Sequence, residues 1–98
     1  MFIVSLTYRN GTAAADAHLT AHVAWLTTGY EQGIFLASGR KVPRTGGVIL
    51  ARGARSALDA LLATDPFALH GVADYEVTEV AFGTTADGLE LLQDKPYS

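Results

Sequence analysis

Four strand-like runs and two helix-like runs follow one another in the order β-α-β-β-α-β, and that order restricts the chain to very few folds. Phe2 to Tyr8 alternates Phe2, Val4 and Leu6 with Ile3, Ser5 and Thr7, the two-residue period of a strand. Arg9-Asn10-Gly11 reads as a turn, and Thr12 is placed to cap a helix running to about Gln32. Gly33 suits the left-handed stop that ends it. Ile34 to Gly39 reads as a second strand. The Arg40 to Gly47 connection, rich in charge, proline and glycine, makes a hairpin with Val48 to Ala51, whose unbroken apolar run suits burial on both faces. Gly53 or Ser56 opens a second helix with Ala54, Leu58, Leu61 and Leu62 inward. Pro66 closes it, because the residue before a proline is pushed out of the helical region. A loop from Ala68 to Val72 leads to a last strand, Ala73 to Phe82, with Tyr75, Val77 and Glu79 on one face.

The expected architecture is α+β and ferredoxin-like, an antiparallel sheet with both helices on one face. Its other face is bare, with Ile3, Val48 or Leu50, and Val77 as occupants depending on register. Ninety-eight residues make one domain, expected over 1–83, with 84–98 as a tail whose Leu89, Leu91 and Leu92 dock on the domain or a partner. With 49% apolar and only 17% charged residues, the surface is lean for a small monomer. Together with the bare face, that predicts a two-fold homodimer.

A net charge of −3 gives no basic footprint for nucleic acid. The absence of cysteine excludes disulfides, thiolate metal sites and cysteine nucleophiles. The apolar N-terminus has no basic leader and reads as a strand, and no run reaches the roughly twenty apolar residues of a membrane span. A soluble cytoplasmic protein without membrane or nucleic-acid partners is the expectation.

The residue of most chemical interest is His22. Leu19, Val23, Leu26 and Tyr30 mark one apolar helix face, and His22 falls inside that stripe. An imidazole there needs a partner, since an unpaired buried polar group costs roughly 1–3 kcal/mol. Asp65, in Asp65-Pro66-Phe67, is a plausible one. It can cap a short turn with proline at the first position, and its carboxylate can also accept from an imidazole N–H and fix the tautomer. A plain packing role for His22 is the competing reading. His18 lies one turn before His22, a metal-chelating spacing, but no Glu follows it as in zinc-protease helices, so His18 reads as surface and no metal is expected. Ser38, at the end of the second strand, can hydrogen-bond a ligand but has no nucleophile-elbow context. Arg40, Lys41 and Arg44 are either a solvated hairpin or a flap that recognises an anion. Gly46-Gly47 is too short for a phosphate loop and precedes a strand. Trp25 and Tyr30 read as core.

The runs Ala21-His22-Val23-Ala24-Trp25-Leu26, Ala37-Ser38-Gly39-Arg40, Val42 to Ala51, Asp65-Pro66-Phe67 and Ala73-Asp74-Tyr75-Glu76-Val77 resemble the YciI-like (YCII-related) family, from Phe2 to about Phe82. The resemblance implies a ferredoxin-like fold assembled as a dimeric α+β barrel, with a candidate active site built on a His–Asp pair. The histidine carries over to His22 in His-x-x-x-Leu and the aspartate to Asp65 in Asp-Pro-Phe. Many members carry an arginine three residues before the histidine; Leu19 stands there in this chain. A related dehydrochlorinase, and the wider group of muconolactone isomerases and small monooxygenases, imply cofactor-free chemistry on small cyclic or aromatic molecules. The expected activity is a lyase or isomerase type, with His22 and Asp65 catalytic and Ser38, Arg40 and Arg44 binding substrate. The alternative is a non-catalytic dimeric module that binds a metabolite or, as the occurrence of such domains beside sigma factors implies, serves regulation.

Overall fold

The computed structural model describes residues 1–93. Strand β1 (Phe2–Tyr8) is followed by helices α1 (Thr12–Ala17) and α2 (Leu19–Glu31), then by strands β2 (Phe35–Arg40) and β3 (Gly46–Ala51). Helices α3 (Arg55–Leu62) and α4 (Pro66–Leu69) precede strand β4 (Ala73–Glu79), and one 3-10 turn, Glu90–Leu92, lies in the tail. The strands form one antiparallel sheet in the order β2-β3-β1-β4. This is the ferredoxin-like α+β fold. None of the helices among the described residues is long and apolar enough to cross a membrane.

Register fixes the two faces. Val4 stands opposite Ile49 on one side and Val77 on the other, and Phe2 opposite Ala51, so these residues share the face that packs on the helices. Phe2, Val4, Ile49 and Ala51 join Trp25, Phe35, Leu58, Leu62 and Phe67 in one buried core. Val77 therefore belongs to the helix side, not to the bare face. Ile3, Val48 and Leu50 occupy the bare face, and Val48 is 38% exposed, so β3 is buried on one face only.

Other expectations change in detail. The first helix is two helices, because His18 (φ −114°, ψ 9°) leaves the helical region and redirects the chain. The N-cap of α1 is Gly11 at φ 73°, and the Thr12 side chain makes no cap bond. Ala54 caps α3 in extended conformation and is exposed; neither Gly53 nor Ser56 does so. Helix α3 stops at Leu62, and Pro66–Leu69 forms a helical turn of its own where a loop was expected from Ala68. Strand β4 ends at Glu79 because its partner β1 runs out: Phe2 pairs with Glu79, and Val80 N–H bonds to the Met1 carbonyl (2.8 Å). In the tail Leu89 and Leu91 are exposed and Leu92 is partly covered, while 94–98 lie outside the described residues.

Candidate functional site

The site begins with the cap of α4. Asp65 is extended (φ −62°, ψ 128°), Pro66 takes the first helical position, and Asp65 Oδ1 accepts from the Phe67 backbone N–H at 3.0 Å. Capping satisfies a helix-end donor that would otherwise be orphaned, and it aims the carboxylate away from solvent. Asp65 is completely buried. Its Oδ1 also lies 2.8 Å from His22 Nδ1 on α2. The Tyr75 hydroxyl of β4 donates to the other oxygen, Oδ2. The Phe67 N–H and the Tyr75 hydroxyl both donate to this carboxyl group. A carboxylate oxygen only accepts, so in the neutral ring the tautomer that completes the His22 bond carries its hydrogen on Nδ1 and its lone pair on Nε2.

Packing fixes the imidazole plane. The His22 ring stacks on Phe67 at 3.9 Å between centroids and 3° between planes, and Trp25 lies at 5.4 Å and 29°. Trp25 is itself held by its indole N–H, which bonds to the Leu61 carbonyl (3.0 Å) and Thr64 Oγ1 (3.1 Å). These bonds clamp α2 to the end of α3. The His22 side chain keeps 12% of its surface open. Nε2 has no partner among the described residues and is not sealed from solvent, and His22 lines a cavity of about 330 Å³. That volume suits a small molecule.

The same cavity is lined by all three expected ligand-binding residues, Ser38, Arg40 and Arg44. They differ in freedom. Arg44 donates to Asp16 at the end of α1 (2.7 Å) and lies 5.8 Å over the Tyr8 ring; the Asp16 carboxylate raises its already high pKa further. Arg40 is exposed and has no ion-pair partner among the described residues. Ser38 Oγ is paired with the Tyr30 hydroxyl at 2.6 Å. Leu19, at the position where the resemblance places an arginine in many relatives, lines the cavity wall as an apolar residue.

His18 stacks on His70 (4.1 Å, 11°). No group of three or more His, Asp or Glu residues able to hold a metal is found among the described residues. Tyr75 was absent from the expected site. Its place on the same strand face as Val77 was legible, but its meeting with Asp65 depends on where α4 caps. Burial, and after it the bond and charge of Asp65, raise the Tyr75 phenol far above its ordinary value, so it stays protonated.

Comparison with curated proteins gives no match. Among solved structures the fold is similar to that of a 5-chloro-2-hydroxyhydroquinone dehydrochlorinase from Burkholderia phenoliruptrix AC1100, solved in complex with 2,5-dihydroxybenzoquinone. The TM-score is 0.70 at 16% identity, over 81% of this chain and 91% of that one. The family model of the YCII-related domain matches residues 1–81. With nearly its whole folded part matched, the chain belongs to the YCII-related domain family.

Proposed function

We propose that the protein is a cofactor-independent enzyme of lyase or isomerase type acting on a small hydroxylated aromatic or cyclic molecule. The observation that carries the reading is the open Nε2 of an imidazole whose Nδ1 is held by a buried carboxylate. In that arrangement His22 Nε2 takes a proton from substrate and returns it to a second position or to the departing group, a role worth about 10²–10⁴-fold in rate. Asp65 keeps the tautomer and offsets the charge of the imidazolium that forms. Arg40, free of any ion pair among the described residues, answers the negative charge that develops on a ring oxygen, and Arg44 and Ser38 orient the ring. The activity and ligand of the structurally similar dehydrochlorinase support a small oxygenated ring as substrate class.

A second copy of the chain covers the bare sheet face in this proposal. Ile3 and Leu50 are already half-covered there and Val48 is exposed, an apolar strip that two-fold pairing would remove from water.

Incubation with hydroquinones, with and without a halogen substituent, and with 2,5-dihydroxybenzoquinone tests the reading. Ring spectra report turnover and an ion-selective electrode reports halide release. Saturable binding, with turnover about 10²–10⁴-fold lower in His22→Asn, is the expected result. Neither binding nor turnover at millimolar ring compound would overturn it. The second reading, a non-catalytic binding module, draws on the tight stack of His22 on Phe67, which would make the histidine a strut. A strut variant unfolds, whereas the enzyme variant stays folded and inactive.

A further inference from the structure

We propose that Tyr75 is a positioning residue for the His22–Asp65 pair: its hydroxyl holds Asp65 Oδ2 and leaves Oδ1 to receive the imidazole N–H. The inference rests on the reading of that pair as the reactive centre. Tyr75 does not line the cavity and so touches no substrate there; whatever it does to the chemistry it does through Asp65.

The terminal torsion of Asp is broad and two-fold, so an unrestrained carboxylate turns about its bond and offers either oxygen to either donor. The cap bond from Phe67 and the His22 bond both fall on Oδ1. A carboxylate held at one oxygen alone keeps much of its rotational play. The bond at Oδ2, from a strand that register locks to β1 (Tyr75 opposite Leu6), fixes the plane from the other side. Asp65 is completely buried, so its second oxygen depends on a protein donor for a partner.

The bond also sets how strongly Asp65 pulls on His22. The O–H dipole of Tyr75 turns its positive end toward the carboxylate and drains charge from it. With that donor gone, the carboxylate accepts more strongly from His22 and stabilises the imidazolium. Tyr75 thus tempers the base at Nε2. The other charged groups facing His22 across the cavity, Arg40 and Arg44, are far from Tyr75 in the chain and unchanged by its substitution.

The test follows the ring nitrogens of His22 by ¹⁵N NMR across pH in the full chain, comparing Tyr75→Phe with the unmodified protein. An upward shift of the His22 titration midpoint in Tyr75→Phe is the expected result, with His18 and His70 unmoved. Asp65→Asn is the control: the His22 midpoint falls, and adding Tyr75→Phe to it produces no further shift. If Asp65→Asn moves His22 but Tyr75→Phe does not, the role given to Tyr75 is wrong. If Asp65→Asn leaves His22 unmoved, the coupling of His22 to Asp65 itself is wrong. Should Tyr75→Phe fail to fold, 3-fluorotyrosine placed at position 75 keeps the shape and strengthens the donor. The His22 midpoint then shifts downward; an unmoved midpoint overturns the proposal.

Discussion

His22 and Asp65 meet through a 2.8 Å bond that ties the middle of α2 to the residue capping α4. One carboxylate thus serves two ends at once: it closes the first turn of a helix and orients an imidazole. Substitutions at this pair separate structural from chemical roles, because each partner has a different share of the two.

His22→Asn keeps an amide nitrogen near the position of Nδ1 and so keeps a donor for Asp65, but it has no proton-transfer group. Stability should fall by about 1 kcal/mol, mostly through the lost stack on Phe67. Turnover should fall about 10²–10⁴-fold. Urea unfolding and initial rates on the same preparations check both numbers.

Asp65→Ala removes the acceptor of three donors, those of Phe67, His22 and Tyr75. It loses a helix cap as well and leaves the phenol unpaired in a half-buried site. A destabilisation of about 3 kcal/mol is expected, clearly larger than for Asp65→Asn, which can still cap. Chemical denaturation of the two variants side by side decides it.

Arg40 and Arg44 should behave differently. Arg44 is held by Asp16 in a partly exposed ion pair, and breaking that pair costs little stability. Arg40 has no such pair among the described residues, so Arg40→Ala should leave stability unchanged while weakening binding of phenolate-bearing rings more than Arg44→Ala does. Calorimetric titration with catechol at a pH above its ionisation compares them.

Alkaline pH gives an independent handle on Tyr75. Its phenol is held above the ordinary value by burial first and by Asp65 second. In the unfolded chain it ionises near pH 10. Above that pH the unfolded state binds fewer protons than the folded one, so stability is fully present below about pH 10 and falls as pH rises. Tyr75→Phe lacks this dependence, so its stability should decline less steeply, by up to about 1.4 kcal/mol per pH unit. Urea midpoints between about pH 9 and 11 show the difference in slope.

The fold was legible because alternation and helical stripes named the inner face: Phe2, Val4 and Leu6, and Leu58, Leu61 and Leu62, are all buried. His22 stood out against its apolar stripe, and Asp-Pro spelled a cap, so both halves of the 2.8 Å bond were visible before their meeting was. What stayed hidden depended on register and on chain breaks. Val77 changed face because the β1–β4 pairing sets it opposite Val4. Tyr75 reached Asp65 only because α4 is a separate turn that points its cap at β4. Arg44 found Asp16 because α1 ends at Ala17 instead of running on into α2. None of these partners is near the other in sequence, and local propensity carries no information about them.

A titration of catechol into the protein, followed at the histidine ring nitrogens by ¹⁵N NMR, decides whether His22 meets ligand. His18 and His70, stacked on one another, act as internal references. If His22 Nε2 opens on a ligand site, its resonance moves saturably while theirs stay fixed. If His22 remains unmoved to saturating ligand in a folded protein, Nε2 meets no ligand of this class, and the enzyme reading is contradicted.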